Sequence, residues 1–120
     1  MTQINLFRHA TDVIDYQPGQ IIFNAGDAGD VMYAVIEGAV DILVGENIID
    51  SAEPGGIFGE MALVDGSPRS ATARARTAVK ITPLGEKQFL RMVEQTPLFA
   101  LQVMRIMSER LRRRMQAAQG

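Results

Sequence analysis

The sequence predicts a mainly β domain closed by C-terminal helices, and three observations carry that prediction. Turn signals recur at short, regular intervals through residues 12–83. Short β-branched and aromatic runs lie between them, the pattern of many brief strands rather than of long helices. After Pro83 the apolar residues change from a strand-like to a helix-like period. A chain of 120 residues holds one such domain with a real core and is too short for two, so residues 1–120 read as a single domain.

The turn signals are Pro18-Gly19, Gly26-Asp27-Ala28-Gly29-Asp30, Gly38, Gly45-Glu46-Asn47, Pro54-Gly55-Gly56 and Asp65-Gly66-Ser67-Pro68. The runs they separate are Gln20–Phe23, Val31–Ile36, Ala39–Val44, Ile48–Ser51 and Val79–Thr82. Val40, Ile42 and Val44 alternate along their run as in a half-buried strand. Many short strands at even spacing close into a sandwich, a barrel or a jelly roll.

Beyond Pro83, Gly85–Gln95 reads as one helix with Phe89, Met92 and Val93 on a common side. Thr96 suits an N-cap and Pro97 a first helical position, opening a second helix that runs to about Ala118. That helix carries two apolar stripes. Phe99, Val103 and Ile106 form one, with Arg110 in phase with them; Ala100, Met104, Met107, Leu111 and Met115 form the other. One stripe suffices for a helix lying on a small barrel. The second fits a groove of the domain itself, a homodimer through the last helix, or a helix that docks in only one ligand state.

Composition narrows the function. With 47% hydrophobic and 22% charged residues the chain is an ordinary globular sequence. No apolar run is long enough to span a bilayer, and residues 1–20 lack the core of a secretory signal. There is no cysteine, so disulfides, thiolate metal sites and a cysteine nucleophile are excluded. These features lead to the expectation of a cytoplasmic protein without membrane insertion. The net charge of −2 is uneven: residues from Pro97 on carry +4 and residues 1–96 carry −6, unlike a uniformly basic nucleic-acid binder. The cluster Arg110, Arg112, Arg113 and Arg114 fits a solvated helix end favoured by the helix dipole, and equally a contact to an acidic partner or ligand. A metal-dependent β-barrel enzyme is disfavoured, because such sites gather several histidines and His9 stands outside the β segment. No metal and no catalytic residue is expected.

The stretch Phe58-Gly59-Glu60-Met61-Ala62-Leu63 followed by Pro68-Arg69-Ser70-Ala71-Thr72 is the most informative. Gly55, Gly56 and Gly59 let the backbone turn tightly. Glu60–Leu63 can form a helical turn whose leading N–H groups suit an anion. Arg69 offers a planar fork to two phosphate oxygens, Ser70 adds a hydroxyl, and Ala71 and Ala73 leave room. Glu60 can accept from a sugar hydroxyl. Spacing alone leaves a second reading open, a mutual Glu60–Arg69 ion pair bracing a surface turn.

At these residues the chain resembles the cyclic-nucleotide-binding domain family, which includes catabolite-activator-type regulators, regulatory subunits of cAMP-dependent kinase and cyclic-nucleotide-gated channels. The family pattern F-G-E-x-A-L, then x-R-[STA]-A-T, is met by Phe58–Leu63 and Pro68–Thr72. Tyr16-x-Pro18-Gly19-Gln20-x-Ile22-Phe23 and Gly26-Asp27-x-Gly29-Asp30-x-Met32-Tyr33 match upstream, so the resemblance covers residues 16 to about 114. It implies an eight-stranded β-roll with a short phosphate-cassette helix, two C-terminal helices and a hinge between them. It implies that Arg69 meets the equatorial phosphate oxygens and Glu60 the ribose 2′-OH. The amides of Gly59, Met61, Ala62 and Ser70 would complete the cradle beside Phe58 and Ala71, with Thr72 near the phosphate or base. Arg110 would cap the base, with Arg105 or Arg112–Arg114 able to substitute.

The ligand so implied is cAMP or cGMP, with cAMP favoured at a Ser70 position; the expected role is a sensor whose C-terminal helices move on binding. Residues 1–11 make at best one turn before the first strand, and no helix-turn-helix follows Gly120. The expectation is therefore of no direct nucleic-acid binding, with an effector regulated in trans or a fused domain as partner. The remaining alternative of the same fold is a degenerate module that only oligomerises.

Overall fold

A computed structural model describes residues 12–119, with side chains through 116. Eight strands come first: β1 (Ile14–Tyr16), β2 (Ile21–Phe23), β3 (Met32–Glu37), β4 (Val40–Val44), β5 (Asn47–Ala52), β6 (Ile57–Phe58), β7 (Thr72–Ala75) and β8 (Val79–Leu84). Helix α1 (Glu60–Asp65) is inserted between β6 and β7, and α2 (Glu86–Gln95) and α3 (Leu98–Gln119) follow β8. The strands form two four-stranded sheets, β1-β8-β3-β6 and β2-β7-β4-β5, in which all pairs are antiparallel. The expected eight-stranded roll with trailing helices is what the chain adopts. His9 and the turn expected in residues 1–11 lie outside the described residues.

Three strands were not among the runs read from the sequence. β1 and β6 are three and two residues long, too short to display a period. β7 lies between β2 and β4, yet of its residues Thr-Ala-Arg-Ala only Thr72 is a favoured strand former, and the two alanines are disfavoured. Its signal is an alternation of size: Ala73 and Ala75 are fully buried, and only a small side chain fits where the two sheets meet. β8 also runs two residues past its expected end, through Pro83. Among the described residues β1 pairs only with Val79–Ile81, so Pro83 has no described strand on that side to receive an N–H, and a proline is tolerated.

Period-two alternation divides the core. Val35, Val40, Ile42, Phe58, Ala73, Val79 and Ile81 meet between the sheets. Their neighbours Met32, Ala34, Ile57 and Leu84 point to the other side of the first sheet, where Phe99, Val103 and Ile106 of α3 cover them with Phe89, Met92 and Val93 of α2. The Phe89 and Phe99 rings meet at 5.3 Å between centroids. The first stripe of α3, with Arg110 in phase, is therefore the buried one. The second stays open: Met104, Leu111 and Met115 are exposed. Thr96 ends α2, donating its N–H to the Met92 carbonyl, and Pro97 stands in the turn before Leu98 rather than inside the helix. Two residues thus join α2 to α3.

Candidate functional site

The loop after β2 and the segment before β7 zip together. The Arg69 N–H donates to the Asp27 carbonyl and the Gly26 N–H to the Arg69 carbonyl, both at 2.8 Å. One step along, the Ala25 N–H donates to the Thr72 hydroxyl at 3.0 Å. This pairing fixes the Arg69 backbone and sends its side chain inward, where it is 6% exposed. The guanidinium lies over the Phe23 ring, 4.2 Å from its centroid, with Tyr33 at 5.7 Å. Phe23, Tyr33 and Phe58 pack around one another beneath it. Burial pushes the Tyr33 phenol pKa up, with the Arg69 charge pulling the other way.

Helix α1 begins at Gly59, which takes φ 75 and ψ 15. In that left-handed conformation a side chain is strained, and here it would also strike the Arg69 guanidinium. The Arg69 Nη1 donates to the Gly59 carbonyl at 3.0 Å, while its Nε is buried without a hydrogen-bond partner. A buried guanidinium that pairs with a carbonyl and leaves a donor orphaned has the chemistry to receive an anion.

The Glu60–Arg69 ion pair allowed by spacing does not form. Glu60, 6% exposed, gives both oxygens to Arg110 Nη1, at 2.9 and 3.0 Å. Arg110, 8% exposed, also donates from Nη2 to the Ile57 carbonyl, and its Nε lies 3.4 Å from Asp50. Arg113 reaches the same Asp50 carboxylate at 3.0 Å.

Phe58, Gly59, Glu60, Met61, Ala62, Arg69, Ser70, Ala71 and Arg110, all singled out from the sequence, line one cavity. Thr72 does not line it; its hydroxyl is turned to the Ala25 amide. Phe58 is part of the floor of the roll, Met61 is exposed at the rim, and the Ser70 hydroxyl lies 3.9 Å from the Met61 sulfur. Five lining residues were not anticipated as a group: Phe23, Ile42, Asp50, Pro68 and Arg114. Phe23 and Ile42 arrive from strands distant in sequence, and Asp50 is one carboxylate inside an apolar run. The sequence offers Arg114 as one of the terminal arginine cluster and as a substitute for Arg110. The space left among these side chains is about 40 Å³, room for roughly three water molecules. Among the described residues no group of three or more His, Cys, Asp or Glu is placed to hold a metal, and no helix is long and apolar enough to cross a membrane.

Comparison with known proteins shows the family. Residues 13–96 match the family described as the cyclic nucleotide-binding domain. A cAMP-dependent protein kinase regulatory subunit of Dictyostelium discoideum is 40% identical over 87 residues, which cover 68% of this chain and 27% of that protein. Among solved structures, the catabolite activator protein of Thermus thermophilus superposes with a TM-score of 0.77 at 30% identity, over 89% of this chain and 53% of the other. The EAL enzyme Bd1971 in its cAMP-bound form superposes with a TM-score of 0.63 at 35% identity, over 88% of this chain and 29% of the other. The chain thus spans about a quarter of the length of the curated relative. Matched across most of its described length, with the cassette residues gathered around one cavity, the chain belongs to the cyclic nucleotide-binding domain family.

Proposed function

We propose that this chain is a receptor for a cyclic nucleotide, cAMP in preference to cGMP, whose C-terminal helices move on binding to regulate a partner. The observation that carries the reading is the Arg69 guanidinium, buried with its Nε unpaired beside the leading residues of α1. A cyclic phosphate supplies the missing acceptor, and the amides of Gly59, Met61, Ala62 and Ser70 join it. Glu60 accepts from the ribose 2′-OH, since a carboxylate already holding one guanidinium keeps lone pairs free. Arg110 and Arg114, at the α3 side of the cavity, cover the base. The preference for cAMP is supported by relatives named for cAMP and by Ser70 after the arginine. Arg110 of α3 already holds the Glu60 carboxylate, so α3 is proposed to lift from the cassette as ligand enters and to settle again over it. Isothermal titration of cAMP, then cGMP, into protein freed of co-purified nucleotide is the test. Binding on the order of 1 μM or tighter at one site per chain is expected, with cAMP ahead. No heat and no displaced nucleotide with either ligand would leave only a degenerate module.

The effector is proposed to act in trans or as a fused domain, in a cytoplasmic setting. The open stripe of α3 supports a homodimer. Leu101, Met104, Ser108, Leu111 and Met115 are exposed and alternate by three and four residues, a coiled-coil seam. Sedimentation equilibrium should show a dimer that Leu111→Lys dissociates; a monomeric parent protein refutes the pairing.

A further inference from the structure

Asp50 sits on β5 in the run Ile48-Ile49-Asp50-Ser51, yet its side chain is only 7% exposed. Two arginines three residues apart on α3 converge on it. Arg113 Nη2 donates to both carboxylate oxygens at 3.0 Å, and Arg110 Nε lies 3.4 Å away. The Ser51 N–H adds a third donor at 2.9 Å. From Arg110 the network continues to Glu60 and the Ile57 carbonyl. Two carboxylates and two guanidiniums thus tie β5, α3 and the cassette together at zero net charge.

The position of this network along α3 gives it its meaning. Phe99, Val103 and Ile106 hold the first half of the helix by apolar burial, helped by partly buried Met107. Beyond Met107 the described apolar side chains, Leu111 and Met115, are exposed. The part of α3 that lies over the cavity is therefore held by ion pairs, which carry a desolvation cost and can be exchanged, and not by packing. When a ligand hydroxyl takes a share of Glu60, the anchors that remain for Arg110 are the Ile57 carbonyl and Asp50, and of these only Asp50 carries charge and also holds Arg113.

We propose that Asp50 is a positioning residue that latches the second half of α3 over the cassette, gating both entry and escape of ligand. The inference deepens the receptor reading and rests on it only for the second of two measurements. The first is hydrogen exchange of the ligand-free protein. Asp50→Asn should speed exchange in residues 107–116 by about tenfold while leaving β3 and β8 protected, as for local rather than global opening. Arg113→Gln, at a side chain 48% exposed and so safe for folding, should do the same in smaller measure. Arg113→Lys should retain protection, because one nitrogen of Arg113 makes both contacts. Asp15→Asn, which removes an exposed pair with Lys80, is the control.

The second measurement is stopped-flow binding of a fluorescent cAMP analogue. In Asp50→Asn, association and dissociation should both quicken by about tenfold, with Kd changing less than either rate. Unchanged exchange in 107–116 overturns the latch, and so does faster exchange spread evenly through the roll, the mark of a merely structural role. A rise in dissociation alone assigns Asp50 to direct ligand contact instead. If the unsubstituted protein binds no cyclic nucleotide, the receptor reading fails while the exchange data still decide the latch.

Discussion

Arg69→Ala is expected to cost about 2–5 kcal/mol of cyclic-nucleotide affinity, the range for removing one partner of a buried charge pair. The side chain is held by a backbone that does not depend on it, through the paired Arg69, Asp27 and Gly26 main-chain groups. Its removal takes away the cation stacked on Phe23 and leaves the roll intact. Titration of cAMP into the variant checks the loss, with circular dichroism confirming the fold. An affinity equal to that of the parent protein removes Arg69 from the site. Gly29 offers a second approach to the same guanidinium. A methyl added there would stand 2.5 Å from the Arg69 Nε and 2.6 Å from Cζ, and Gly29 does not have a positive φ. Gly29→Ala should therefore displace Arg69 and weaken nucleotide binding, in the same direction as Arg69→Ala, at little cost in stability.

Phe99→Ala is expected to cost about 3–5 kcal/mol of folding stability, the usual penalty for emptying a buried aromatic site. Phe99 has no exposed surface and lies among Met32, Ala34, Ile57 and Leu84 of the roll, tilted against Phe89 of α2. It joins both helices to the outer face of the first sheet, so its loss frees α2 and α3 together. The loss is a large part of the 5–15 kcal/mol that usually holds a domain. Urea denaturation followed by circular dichroism reads it as a lower midpoint. A change below about 1 kcal/mol would mean that α3 lies outside the cooperative unit, since the helix would then contribute no buried core.

Most of the site was legible before any coordinates. Phe58–Leu63 and Pro68–Thr72 mark the cassette by motif, and the structure gathers all of them but Leu63 and Thr72 around one cavity. The inward phase of Arg110 followed from its three-and-four spacing with Phe99, Val103 and Ile106, and that face is the buried one. Less visible were the strand of Thr72–Ala75, which reads as room for a ligand until its alanines are seen packed between sheets, and the carboxylate of Asp50. Strand preference is weak beside tertiary packing, so a run of small residues hides its role until its neighbours are known.

The sequence by itself determined the family, five of the eight strands and the helices that follow them, the phase of Arg110 with the Phe99 stripe of α3 and the residue types suited to an anion and a sugar hydroxyl. These are local matters of period, turn chemistry and motif, written in residues close together along the chain. Tertiary structure alone decided the pairing of charges. Glu60 is nine residues from Arg69 and fifty from Arg110, yet it pairs with Arg110, and Arg69 keeps a buried nitrogen without a partner. The direction in which each side chain leaves the backbone, and the helix that the fold lays above it, decide which charges meet; distance along the chain does not.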